Sequence, residues 1–377
     1  MTKAVVAGYV RSPFQVAEKG ALARVRPDDL AAQVIRGLLA RSKVDPALLE
    51  DIVMGCAFPE GEQGLNVARL VGLLADLPLA VGGMTVNRFC GSSMSAIHVA
   101  VGQIAIAAGD AFICAGIESM SRIPMGGFNP LPNPQLAAKS AAYMGMGETA
   151  ENVAREYQIS RAAQEAFAVA SHRKAAAARA AGKLAEEIVA IEAKHGSVDQ
   201  DGAIRPDTTP EALAALKPAF SATGTVTAGT SSPLTDGATA VLITSEEFAR
   251  RHGLPILAAI RAVAISGCQP QTMGLGPIEA TRKAIQRAGI TLDALDVVEI
   301  NEAFASQAIA CIRELKLREA TINIDGGAIA IGHPLGATGA RLVGKAAALL
   351  TREQGRFALA TQCIGGGQGI ATVLERV

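Results

Sequence analysis

The stretch DLAAQVIRGLLARSKVDPALLEDIVMGCAF (residues 29–58) has a second version in the other half of the chain, LGPIEATRKAIQRAGITLDALDVVEINEAF (residues 275–304). Each reads as an amphipathic helix, a short break, an apolar-acidic turn and a β-rich run ending in Ala-Phe. About thirty residues after each comes a glycine-rich element, NRFCGSS (87–93) in the first half and DGGAIAIGHPLGATG (325–339) in the second. The same elements in the same order predict an internal duplication. Strand-like runs alternating with alanine-rich helical ones predict an α/β fold. Residues 119–235 break the pattern. They open with SMSRIPMGGFNPLPNPQ, a loop composition, and continue with helical stretches such as 149–182. The expected division is therefore 1–118 and 236–250 for the first half, 119–235 for an inserted loop domain, and 251–377 for the second half.

Composition narrows the function. The chain has 377 residues, 50% of them hydrophobic, and a net charge of zero from 35 basic and 35 acidic side chains. Its mean hydropathy is +0.29. A large core is expected and disorder is not. No basic run interleaved with aromatics points to nucleic acid. The most apolar run, 97–116, is interrupted by His98, Gln103 and Gly109-Asp110, which predicts a buried helix and then a buried strand rather than a membrane span. Six cysteines, at 56, 90, 114, 268, 311 and 363, show no CxxC spacing, so a reducing compartment is expected. MTKAVVAGYV reads as a strand rather than a targeting segment, which makes the cytoplasm the expected location.

Four positions carry candidate chemistry. Cys90 is followed by Gly91, Ser92 and Ser93, leaving room for a substrate. It opens a helical stretch, whose N-terminus is expected to lower the thiol pKa. A buried structural cysteine is the alternative. His333 lies among glycines and before Pro334, where a histidine can serve a thiol as base. His98, inside an apolar helix, reads as core. Cys363 ends a strand before IGGGQG, which predicts a hairpin. The run lacks Gly-Lys-Ser/Thr and so is not a phosphate loop, but its N–H groups could hold an oxyanion. Asn301 reads as a helix N-cap or as a carbonyl- or water-orienting amide. No local spacing among Cys90, His333 and Cys363 supports a metal.

Together NRFCGSSMSA, NEAFASQ, GGAIAIGHPLGATG and CIGGGQG, in this order, resemble the thiolase family. VRSPF, AGIESMS (115–121), MGETAENVA (146–154), TVTAGTSSPLTDGA (225–238) and MGLGP (273–277) extend the resemblance over essentially the whole chain. It implies a thiolase fold, a five-layered α-β-α-β-α core of two duplicated halves with an inserted loop domain, in a homodimer or homotetramer. It implies Cys90 as acyl-carrying nucleophile, His333 as its base, Cys363 as the second acid/base, and Asn301 holding a water in one oxyanion hole. The N–H groups of Cys90 and Gly365 match the other hole, and Ser232 lies near the pantetheine arm. Met146 stands in the loop motif where short-chain biosynthetic members read His-Met-Gly. Gly145 replaces that histidine here, and with Thr230-Ser231-Ser232 this points to the degradative type. The implied reaction is cleavage of 3-ketoacyl-CoA by coenzyme A, which is substrate and not a bound cofactor. The alternatives are a short-chain acetyl-CoA acetyltransferase and a silent acyl-CoA-binding subunit. Ketoacyl synthases would need histidines at 301 and 363. A hydratase/dehydrogenase subunit is an implied partner. Pro233 and Asp325 depart from the family pattern.

Overall fold

The computed structural model describes residues 2–377. The first half runs β1 (Ala4–Arg11), β2 (Gln15–Val16), α1 (Pro27–Ser42), β3 (Asp51–Cys56), α2 (Val67–Leu74), β4 (Gly82–Val86), α3 (Ser92–Ala105) and β5 (Ala111–Ser119). Helices α4 (Pro134–Lys139), α5 (Met146–Glu156) and α6 (Arg161–Ala180), the hairpin β6 (Ile191–Ala193) and β7 (Gly196–Val198), and α7 (Pro210–Ala214) follow. The chain then returns through β8 (Thr235–Ser245) and α8 (Glu246–Arg251). The second half is β9 (Ala258–Gly267), α9 (Gly276–Ala288), β10 (Val297–Ile300), α10 (Ala305–Leu315), α11 (Ala328–Ile331), α12 (Leu335–Arg352), β11 (Phe357–Ile364) and β12 (Gln368–Glu375).

The duplicated stretch folds the same way twice. In α1, Pro27 fixes the first turn, Asp28 and Asp29 complement the dipole, and Leu30, Val34, Ile35 and Leu38 form one buried face. In α9, Pro277 and Glu279 open the helix and Gly289, at φ +67°, ends it. Strand order repeats as well. β1, β8, β5 and β3 neighbour one another as β9, β12, β11 and β10 do. In each set the first three are antiparallel and the last pair is parallel. The two lobes join through β1 and β9, at Val5–Ala259 and Val6–Ala258.

Each lobe has two apolar faces, which gives the five layers. Leu30, Ile35 and Val71 of α1 and α2 pack on Ile52, Ile113 and Leu242. Helices α3 and α12 lie between the lobes, where Ile97 and Val343 meet Phe112 of one sheet face and Ile370 of the other. Helices α9 and α10 cover the last face through Ile278, Ile285 and Leu315. No helix among the described residues is long and apolar enough to cross a membrane.

A buried ion network ties the insertion to both halves. Arg11 donates to Glu187 (2.8 Å) and to Asp201 (2.6 and 2.8 Å). Lys345 joins Glu187 (2.9 Å) to Asp325 (2.7 Å), which also pairs with Arg352 at 2.7 Å. Three cations (Arg11, Lys345, Arg352) thus face three anions (Glu187, Asp201, Asp325). An acid at 325 is explained by the two cations that meet it. Burial opposes ionisation of Glu187 and Asp325, but their cations win and hold both at about 2. Their folded values lie below the ordinary carboxylate range, so their stabilisation is complete above about pH 4.5 and is lost as pH falls toward 2, on the order of 2 kcal/mol each. Buried Glu118 and Glu299, raised to about 7, act oppositely, favouring the fold while protonated. His98, His172 and His333, lowered to between about 3 and 4, offset them as pH drops through their unfolded value of about 6.5. The expected result is a urea midpoint nearly flat between pH 7 and 5 and falling steeply from pH 4 to 2. A midpoint insensitive to pH below 4 would contradict this account of the network.

Candidate active site

The glycine-rich elements end at the N-termini of the two central helices, α3 and α12. Glycine lets both ends press onto the sheet. A Cβ on Gly55 would lie 2.2 Å from Ser93 N, and one on Gly116 2.4 Å from Gly336 O. Ser93 Oγ accepts from Ala340 N at 2.8 Å, locking α3 to α12. The first half thereby contributes Cys90 and the second His333 to one place.

Cys90 stands on a tight turn. Phe89 before it has φ +43°, a left-handed conformation a bulky residue rarely adopts. Asn87 Oδ1 accepts from Phe89 N (2.8 Å), and Ser92 Oγ accepts from Arg88 N (2.8 Å) while donating to Phe89 O (2.6 Å). Gln362 Nε2 donates to Cys90 O, fixing the turn to β11. The expected low thiol pKa is not found. Burial pushes Cys90 up to about 11, and the N–H groups of Gly365 and of Cys90 itself, both directed at the sulfur, lower it only in part. Gly91, not Cys90, takes the capping position of α3. Cys90 is therefore a thiol at neutral pH, and only a base beside it could make it a thiolate.

His333 is buried and neutral, its pKa lowered to about 4 by burial. Its N–H donates to Thr235 Oγ1 (3.0 Å). The ring contacts Thr338 Oγ1 through Nδ1 (2.6 Å) and Asn301 Nδ2 through Nε2 (3.3 Å). Of the two readings of Asn301, the helix N-cap does not hold. Asn301 follows β10 directly, its N–H donates to Thr361 O (3.0 Å), and α10 begins only at Ala305, with Phe304 at the cap. The cause is the insertion. Ser231 pairs with Phe304, and Ser232 N donates to Ala303 O at 3.0 Å, which holds this stretch extended. Asn301 is thus free to face His333, and its Oδ1 is buried with no protein partner.

Cys363 lies near the end of β11, and β11 and β12 form the expected hairpin, with Gly365 in its turn. Burial raises the Cys363 thiol far above its ordinary value, and the neighbouring Cys90 adds to this, so it too is protonated. His98, read as core, is half-buried in α3, where its Nε2 meets Thr372 Oγ1 at 2.9 Å.

Cys90, His333 and Cys363 line one cavity of about 630 Å³ with Met146, Ser232, Met120, Met125, Met273, Phe220 and Phe304. Asn301 reaches it through His333. Met146 opens α5, with its Sδ 3.6 Å from where a Gly365 side chain would begin. The Ser232 hydroxyl donates to Ala303 O at 3.2 Å. Pro233 lies in the wall beside it. Apart from Cys90, His333 and Cys363, the lining is mostly apolar, with Glu148, Ser231 and Ser232 as its other polar side chains, a composition suited to a thioester with an alkyl chain. Among the described residues no cluster of three or more His, Cys, Asp or Glu side chains could hold a metal.

Sequence reasoning missed Glu118. Its carboxylate accepts from Ala57 N (2.8 Å), Phe58 N (3.3 Å), Gln63 Nε2 (2.5 Å) and Gly336 N (2.9 Å), joining the first half to the start of α12. The signal was an acid inside the otherwise uncharged strand AFICAGIES, fully buried and so in need of donors.

Two adjacent family models match the chain, "Thiolase, N-terminal domain" over residues 4–247 and "Thiolase, C-terminal domain" over residues 254–376. The chain belongs to the thiolase family. A 3-ketoacyl-CoA thiolase of Shewanella baltica is 48% identical over 388 aligned positions, covering all of both chains. One of Shewanella oneidensis is 47% identical over 391, again over both full lengths. The crystal structure of human mitochondrial 3-ketoacyl-CoA thiolase in complex with CoA superposes with a TM-score of 0.92 at 35% identity, covering 100% of this chain and 98% of that one. The five layers and the repeated strand order are thus those of a thiolase.

Proposed function

We propose that this thiolase is a 3-ketoacyl-CoA thiolase, cleaving 3-ketoacyl-CoA with coenzyme A to acetyl-CoA and a shortened acyl-CoA. The observation that carries the reading is the convergence of two protonated thiols and a neutral imidazole, drawn from both halves, on one apolar cavity.

In the proposed mechanism, His333 Nε2 takes the Cys90 proton and the sulfur attacks the 3-keto carbon. The C2–C3 bond breaks and its electron pair passes to C2, giving the enolate of acetyl-CoA. Cys363, held as a thiol by burial, protonates C2. The resulting thiolate takes the proton of an incoming coenzyme A thiol, which attacks the acyl-Cys90 thioester. The C–S bond to Cys90 breaks, the shortened acyl-CoA forms, and the departing Cys90 sulfur takes back the proton held on His333 Nε2. Asn301, through a water at its unpartnered Oδ1, and His333 serve one developing oxyanion, and the N–H groups of Cys90 and Gly365 the other. Ser232 and Met146 line the pantetheine and acyl path. The inserted loop domain, 119–235, acts as the cover, since Met120, Met125, Met146, Phe220 and Ser232 all come from it. Coenzyme A enters as substrate, and no step needs a metal.

Thiolysis of acetoacetyl-CoA against a long-chain 3-ketoacyl-CoA tests the chain-length reading. Comparable or faster turnover of the long chain is expected, because four methionines (120, 125, 146 and 273) give the wall adaptable shape. Activity confined to acetoacetyl-CoA would instead assign the short-chain acetyltransferase.

The homo-oligomer belongs to the same proposal. Strand β4 leaves one sheet edge unpaired, and Leu65, Leu73, Leu74 and Leu79 are exposed on α2 and the flanking turns. A second copy is the occupant proposed, with a hydratase/dehydrogenase subunit as a further partner. A monomer in equilibrium sedimentation at micromolar protein would refute the pairing. All six cysteines are unpaired, which fits a reducing compartment such as the cytoplasm.

A further inference from the structure

We infer that Thr338 is a positioning residue, its hydroxyl oxygen accepting the His333 Nδ1–H and thereby holding the ring in the tautomer whose Nε2 carries a lone pair rather than a proton. The inference rests on the reading of His333 as the base.

A neutral imidazole carries one proton, and only a ring with Nε2 unprotonated can receive the Cys90 proton there. Two contacts, one on each side of the ring, select that form. On the Nδ1 side, Thr338 Oγ1 is 2.6 Å away and is also 3.0 Å from Pro334 O. A carbonyl oxygen only accepts, so the hydroxyl gives its proton to Pro334 and offers a lone pair to the ring. On the Nε2 side, Asn301 Nδ2 stands at 3.3 Å. An amide nitrogen only donates, so Nε2 must accept. In the resting enzyme the opposite tautomer would set two donors against each other at Nε2. Once Nε2 has taken the Cys90 proton, the Asn301 amide must turn to offer its otherwise unpartnered Oδ1.

The fold makes the relay. Thr338 sits in the first turn of α12, four residues after Pro334, so the helix brings its hydroxyl back over that carbonyl. The backbone beneath is pinned separately. His333 N donates to Thr235 Oγ1, which donates to Pro233 O at 2.6 Å. Both ring hydrogen bonds go to neutral groups, Asn301 and Thr338, and neither to a carboxylate. When the Cys90 S–H bond breaks and the Nε2–H bond forms, the electron pair stays on sulfur and Thr338 neither gains nor loses a proton. The relay sets which nitrogen is basic without adding a counter-charge that would hold the proton there.

Thr338→Val, Thr338→Ser and His333→Gln in the full chain test this. Nitrogen NMR of histidine-labelled protein, with the His333 signal assigned by its loss in His333→Gln, reads the tautomer. Iodoacetamide reads the rate at which Cys90 is activated. The wild type is expected to show Nδ1–H. Thr338→Val is expected to slow both Cys90 alkylation and kcat by roughly tenfold, a fraction of what a general base supplies, with KM little changed. Thr338→Ser, which keeps the hydroxyl, is expected to restore most of both rates. An Nε2–H signal in the wild type overturns the inference, and so does a Thr338→Val protein with wild-type alkylation and kcat. Should Thr338→Val fail to fold, the wild-type tautomer still decides. Full thiolysis by His333→Gln would sink the reading of His333 as base. Inactive His333→Gln with an Nε2–H wild type would sink the Thr338 inference alone.

Discussion

Cys90→Ala is expected to lower kcat/KM for thiolysis on the order of 10⁵-fold, the scale seen when a nucleophile is removed and only binding and oxyanion stabilisation remain. No neighbouring group can substitute. Cys363 is fully buried and protonated, and its place in the proposed scheme is to exchange protons with C2 and with coenzyme A. The fold should tolerate the change, because Cys90 is only half-buried and its turn is held by Asn87, Ser92 and Gln362 rather than by its sulfur. Thermal unfolding within a few degrees of wild type would show that the lost rate belongs to the chemistry. Retention of more than about one per cent of the rate in a protein free of wild-type contamination would remove Cys90 from the nucleophile's place.

The second large effect is expected at Cys363. Removing an acid/base group costs roughly 10²- to 10⁴-fold, and in the proposed scheme one group serves both protonation of the enolate and deprotonation of coenzyme A. Cys363→Ala should therefore lose thiolysis on that scale. Iodoacetamide should still label Cys90 at close to the wild-type rate, since in the proposed scheme activation of Cys90 runs through His333. This pairing separates acid/base work from scaffolding. If alkylation of Cys90 fell in parallel with thiolysis, Cys363 would be holding the turn rather than moving protons.

Much of the fold was legible because duplication leaves a sequence trace. The stretches 29–58 and 275–304 match as helix, turn and strand, and the structure repeats them as α1 to β3 and α9 to β10. The meeting of NRFCGSS with GGAIAIGHPLGATG was legible only as a family resemblance. Glycines at 55 and 116 show why it is physically possible, since each lets a helix end approach a strand more closely than any side chain permits. What local sequence misread, distant segments decide. Of the two readings of Asn301, the cap rested on NEAF preceding a helix, but pairing of Ser231 with Phe304 moves the cap three residues on, to Phe304. The Cys90 thiol looked activated by a helix N-terminus, but burial outweighs it. Asp325 looked like a departure until Lys345 and Arg352 were found against it. Glu118 meets partners far along the chain, which no motif announces, and the contact of Thr338 with His333, though both lie in GGAIAIGHPLGATG, forms only when the helix turn brings them together.

The central claim is that Cys90 carries the acyl group. The most direct measurement is to mix the protein with a long-chain 3-ketoacyl-CoA without free coenzyme A, quench in acid, digest, and weigh the cysteine peptides by mass spectrometry. The predicted result is a thioester on the Cys90 peptide whose acyl group is the substrate's shortened by one acetyl unit, with acetyl-CoA released and the adduct discharged when coenzyme A is added before the quench. An adduct on Cys363 instead, or no adduct on any cysteine while acetyl-CoA is still released, would contradict it.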